Sequence, residues 1–276
     1  MKYGISRDAR PQATVLLTAA VISIVLWFIP YAEILTYPFR IFVTFIHEGG
    51  HALAALLTGN SVASLSIATN ASGETYTSQG GALSQMFVAS AGYLGSMAFG
   101  ALLLVLIRKA IAARFVLLGS AALVFALTVI YGLVKPAMTG VVSSALPFTI
   151  LAGTILSVGL VVIAKYAKAR VASFFVSLLA VQCILNALLD LKTVFFMSSP
   201  FAPSVPTDAV NMANATGIPA MVWAVVWIGI AVTILGVAMR LYVSSRKKQL
   251  QFDLDRPFDQ LPAVFPTTMH ESRNLR

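Results

Sequence analysis

The chain is short of the residues that most metal and redox centres are built from, with one cysteine and three histidines among 276 residues. A lone Cys183 excludes an intrachain disulfide and a multi-cysteine zinc site, so any zinc must be held by histidine and carboxylate. Charge is scarce too: 11% of residues are charged against 58% hydrophobic, which excludes an ordinary soluble domain. Mean hydropathy is +0.87. The net charge of +9 comes from short basic clusters beside hydrophobic runs: Arg108, Lys109 and Arg114, then Lys165, Lys168 and Arg170, then Arg246 to Lys248. Clusters of that kind read as membrane-topology signals rather than as a nucleic-acid footprint, and no nucleic-acid partner is expected.

What the chain has in quantity is apolar runs of about 20 residues, the length needed to cross a bilayer as a helix. They lie at 12–30, 38–58, 82–108, 115–135, 146–165, 171–192 and 219–243. The pattern predicts an all-α polytopic membrane protein with about seven hydrophobic spans, set in a lipid bilayer such as the cell membrane. Residues 1–243 form the integral domain, and 244–276 a polar, disordered tail interrupted by Pro257, Pro262 and Pro266 and carrying His270. Lys2, Arg7 and Arg10 precede the first run, but no small-residue cleavage pattern follows it, so it reads as a retained helix. The basic clusters cannot all share the cytoplasmic side with the N-terminus if there are seven spans, and orientation stays open. One polar interruption, Ser61 to Gly81, alternates and carries Asn70-Ala71-Ser72-Gly73, which predicts a small β-hairpin or strand segment after the metal-binding helix. No internal repeat of the transporter kind is visible.

Inside the second run stands His47-Glu48-Gly49-Gly50-His51. Histidines four apart share one face of a helix, so both imidazoles reach one Zn²⁺, and Glu48 is placed as general base for its water. A catalytic zinc takes three protein ligands and keeps a fourth position open. Of the acidic residues only Glu48 and Asp190 fall within apolar runs, and an ionisable group in hydrocarbon is a functional hypothesis by default. Asp190 is therefore the expected third metal ligand, at the end of a polar stripe with Gln182 and Asn186 that would line a water-filled cavity. Asp208, in Pro206-Thr207-Asp208-Ala209, is the rival: a helix cap, or a ligand carried by a re-entrant loop. Trp223 and Trp227 read as interfacial anchors, and Gly92, Gly95 and Gly100 as helix-packing positions.

Two separated segments carry a family resemblance. Ile46 to Gly59, IHEGGHALAALLTG, resembles the metal helix of the site-2 protease family of intramembrane zinc metallopeptidases, in its compact form without a PDZ domain. Asn186 to Leu191 is similar to that family's asparagine and aspartate motif, without the glycine that usually follows the aspartate. Between them, Ala91-Gly92-Tyr93-Leu94-Gly95 looks like the family's small-residue helix, and Ser61 to Gly81 occupies the place of its substrate-presenting strand. The resemblance covers roughly residues 40–108 and 180–215. It implies a protease with one Zn²⁺ per chain that hydrolyses membrane-anchored protein substrates, with Glu48 catalytic and His47, His51 and Asp190 on the metal. The alternatives are a divalent-metal transporter, which needs ligand relays at successive depths, and an inactive relative that binds membrane proteins. Substrate identity and oligomeric state are not written in the sequence.

Overall fold

The structure is a computed structural model that describes residues 10–26, 28–29, 31–108, 113–198 and 206–254. Each of the seven apolar runs is helical over most of its described residues, as it must be where no water is present to satisfy backbone groups. In chain order the elements are α1 (Arg10–Leu26), α2 (Glu33–Leu57), β1 (Val62–Ile67), β2 (Gly73–Thr77) and α3 (Ala82–Arg108). There follow α4 (Ala113–Leu127), a π-helical stretch (Thr128–Val134) that runs into α5 (Lys135–Thr139), α6 (Leu146–Tyr166), α7 (Ala169–Met197), α8 (Asp208–Thr216) and α9 (Ala220–Leu254).

Among the described residues five stretches are long and apolar enough to cross a membrane: Ala82–Ile107, Ala113–Thr139, Leu146–Tyr166, Ala169–Met197 and Ala220–Tyr242. The protein is an integral, multi-pass membrane protein. The expected seven spans are not matched by this measure, because the apolar part of α1, Thr14–Leu26, is short and α2 carries Glu33, Arg40 and Glu48. At the other end α9 continues through 244–254, where the sequence predicts loss of structure. Residues 255–276, including His270, lie outside the described residues.

Lipid tails are as apolar as leucine, so helices in a membrane associate through close packing and hydrogen bonds rather than by escaping water. Helix α3 is the hub and has extensive interfaces with α2, α7 and α9. Its contact with α2 is backbone to backbone: a Cβ at Gly50 would overlap the Ala91 carbonyl. The buried side of α2 repeats at helical spacing, Ile41, Phe45, Glu48, Ala52 and Ala55, which turns the histidine motif inward. Helix α7 is tied to α1 by Gln182 Nε2 donating to Ser23 Oγ at 3.2 Å, and Asn186 Nδ2 in turn donates to Gln182 Oε1 at 3.0 Å. The stripe expected to line a cavity thus serves helix packing. Trp227 is also not an interfacial anchor: it is buried between α9 and α3, its Nε1 donating to Ser90 Oγ at 3.0 Å.

The hairpin forms where the sequence places it. Gly59, at φ 79°, ends α2 in the left-handed region, and β1 starts three residues later. The two strands pair antiparallel with Leu65 opposite Thr75 and Ile67 opposite Gly73. Asn70 Oδ1 closes the turn by accepting from Ser72 N at 3.0 Å and Ser72 Oγ at 2.7 Å. The outer edge of β1 is covered: Ile67 N donates to Thr149 Oγ1 of α6 at 2.7 Å, and Thr139 Oγ1 donates to Ala63 O at 3.3 Å. The sheet has two strands, so among the described residues the outer edge of β2 is open.

Removing the Thr149 hydroxyl leaves a buried amide without its acceptor, a loss worth about 1–3 kcal/mol. Thr149→Val should lower the thermal midpoint in detergent and speed amide exchange at Ile67, with Thr149→Ser close to wild type. An unchanged midpoint and exchange rate in the valine variant would show that this edge contact is dispensable.

Candidate metal centre

His47 and His51 project from one face of α2, as their spacing requires, and their Nε2 atoms lie 3.0 Å apart. The third group comes from α8. Asp208 Oδ2 is 3.3 Å from His47 Nε2 and 3.3 Å from His51 Nε2. These three residues are the one set of His, Cys, Asp or Glu side chains, among the described residues, whose ligand atoms converge closely enough for a metal ion. Asp190, expected as third ligand, is not in the set; it stands on an exposed position of α7.

The reason lies in how α8 begins. Thr207 takes the N-cap, its Oγ1 accepting from Val210 N at 3.3 Å. Asp208, at the first helical position, is thereby free of the capping role that the sequence also allowed, and its carboxylate faces α2. The threonine before Asp208 is the one local sign that the aspartate need not be the cap; nothing local marks it as a ligand over Asp190.

The donor set fits a tetrahedral dication. Bonds of about 2.0–2.1 Å at tetrahedral angles place ligand atoms about 3.3 Å apart, close to the separations seen. Protonation supports the same reading. The Val88 carbonyl, 2.7 Å from His51 Nδ1, can only accept, so Nδ1 carries the proton and the Nε2 lone pair is left facing His47 and Asp208. Lone pairs aimed at one another from imidazole and carboxylate call for a cation between them. Without a metal, a protonated imidazole must serve: burial works against ionisation of Asp208, but the charges and hydrogen bonds of His51 and His47 outweigh it and hold its carboxyl well below the usual carboxylate range.

Helix α3 supplies the rest of the shell. Gly92 lies directly over the imidazoles, and a Cβ there would overlap Nε2 of both histidines. Tyr93 packs edge-on against His47 with ring centroids 4.7 Å apart, and Trp227 backs Tyr93 at 5.6 Å. Glu48 is buried, and its Oε2 accepts from Thr75 Oγ1 of β2 at 2.6 Å. His47, Glu48, His51 and Asp208 all border one cavity of about 850 Å³, whose walls include Asn60, Ser66, Asn211 and Asn214. Water can reach the centre through these polar walls, which come from the hairpin and its flanks, the start of α3, the loop before α6 and α8, with no residue of α7 among them.

The family model of the M50B-like peptidases matches residues 15–238. The chain belongs to that family. The match runs from α1 into α9 and so takes in both the histidine motif and α8, more than the two segments of the sequence resemblance. No curated protein and no solved structure matches the chain. An M50B-like peptidase is a membrane metallopeptidase by family, and the His47, His51 and Asp208 group is where this chain could hold a metal.

If the space over the imidazoles is the metal position, filling it must expel the ion. Gly92→Ala should weaken zinc retention at least about tenfold in a chelator competition, in line with losses at metal-supporting positions. Gly95→Ala is the control, since its Cβ would meet Gly50 Cα at an ordinary 3.6 Å. Equal retention by the two variants would remove Gly92 from the centre.

Proposed function

We propose that the protein is a zinc-dependent intramembrane endopeptidase that hydrolyses membrane-anchored protein substrates. The observation that carries the reading is the convergence of His47, His51 and Asp208 on one point, with Glu48 on the wall of the same polar cavity. The proposed ligand set is His47, His51 and Asp208, with Asp208 in the role the sequence reading gave to Asp190.

His47, His51 and Asp208 would hold the Zn²⁺, which when bound would supply Lewis-acid polarisation and a water whose pKa is lowered toward about 7. Glu48 takes the proton from the attacking water and returns it to the leaving amine as the peptide bond breaks. His51, fixed by its bond to Val88 O, keeps its ring orientation throughout. A substrate helix hides its carbonyls in its own hydrogen bonds, so it must unwind locally to be cut. The open edge of β2 offers main-chain partners for such an extended segment, and β2 borders the cavity through Gly73, Glu74, Thr75 and Thr77.

A divalent-metal transporter is less well supported. A permeation path needs ligand clusters at successive depths, and the described residues hold a single cluster. An inactive relative has no need to keep Glu48, which stands intact between the two histidines.

Purified wild type should hold about one zinc per chain, and Asp208→Ala should lose it while Asp190→Ala keeps it. Glu48→Gln should retain zinc and cleave a single-span reporter at least about 10²-fold more slowly, the scale of a lost general base. Zinc loss in Asp190→Ala with retention in Asp208→Ala would reverse the ligand assignment. Equal cleavage by wild type and Glu48→Gln would refute the protease reading.

A further inference from the structure

Thr75 and Gly73 are two apart on β2, so they present to the same side of the sheet, and that side meets Glu48. Thr75 Oγ1 donates to Glu48 Oε2 at 2.6 Å and lies 3.2 Å from the Glu48 main-chain oxygen. Gly73 sits against the other carboxylate oxygen: a Cβ on Gly73 would overlap Glu48 Oε1. Oε1 itself accepts no hydrogen bond among the described residues, and Glu48 borders the cavity. The two carboxylate oxygens are thus treated differently by one strand. One is fastened by a hydroxyl, and the other has no donor among the described residues and fits beside the strand because position 73 has no side chain.

We propose that Thr75 is a positioning residue that fixes the Glu48 carboxylate through Oε2, while the missing side chain at Gly73 keeps Oε1 open as the oxygen that accepts the proton. This rests on the reading of Glu48 as general base given above. A carboxylate on a flexible side chain has several rotamers, and only one aims a free oxygen at the attacking water. A hydroxyl held on a strand selects that rotamer before substrate arrives. The same strand carries the open edge, so substrate pairing and base orientation share one rigid element. Substrate docked along β2 is therefore placed in register with the base as well as with the metal.

The test measures kcat, KM and zinc per chain with a single-span Leu/Ala reporter helix broken by a central Asn-Pro. Thr75→Val and Thr75→Ala should each lower kcat about 10–100-fold, the penalty for a catalytic group displaced by about 1 Å, with KM within about threefold and about one zinc retained. Thr75→Ser restores the donor and should recover kcat to within about threefold of wild type. Gly73→Ala should also lower kcat, by crowding Oε1, with zinc kept. A kcat close to wild type in both hydroxyl-free variants overturns the proposal, as does a loss confined to KM, which would assign Thr75 to substrate pairing. Failure of the serine variant to recover overturns it too. If wild type outruns Glu48→Gln but matches Thr75→Val, the present inference alone falls. If wild type and Glu48→Gln cleave equally, the base role of Glu48 falls and takes this inference with it.

Discussion

The near contact of two helix backbones, Gly50 of α2 against the Ala91 carbonyl of α3, is the constraint on which the centre depends. It sets the depth at which α3 meets the histidine motif, and with it three further contacts. Val88 O comes within hydrogen-bonding distance of His51 Nδ1, Gly92 falls over the imidazoles, and Tyr93 packs on the edge of His47. Any side chain at position 50 would push α3 outward and disturb all of them together. Packing of this kind holds in a membrane because no hydrophobic force favours one helix pair over lipid, leaving fit and hydrogen bonding to choose the arrangement.

Much of this was legible in the sequence, for identifiable reasons. The histidine pair could be read because a helix fixes the angular relation of residues four apart, and the hairpin because Asn70 to Gly73 is a turn between alternating strands. That Asp208 joins the two histidines was not legible, because it depends on a tertiary relation. Asp190 drew the assignment as the one later carboxylate inside an apolar run, yet its neighbours Gln182 and Asn186 are occupied with the α1 contact. Asp208 sits outside every span, and only the folded position of α8 brings it to α2. Trp227 was misplaced for a similar reason: an indole near a helix end suits an interface, unless, as here, Ser90 on the neighbouring helix accepts its proton.

Polar groups in the bilayer are divided between two tasks. Ser23, Gln182 and Asn186 form one chain of hydrogen bonds that joins helices away from the cavity, while the hairpin and its flanks, the start of α3, the loop before α6 and α8 bring the water-facing groups. This division lets a protein with so few charges keep a wet centre without threading a continuous polar path along its spans. The hairpin has a double part, since its inner strand is bound to α6 by Thr149 while its outer strand holds Glu48 and leaves an edge free.

The distance along the chain between α2 and α8 has a consequence for biogenesis. On the proposed ligand set, the histidines emerge from the ribosome early in synthesis and their carboxylate partner only after α7 is complete. A nascent chain therefore carries the histidine motif through most of its insertion with an unfinished coordination sphere. On that ligand set the centre is completed only when nearly every span is in place, so assembly of the helices and assembly of the metal site are a single event.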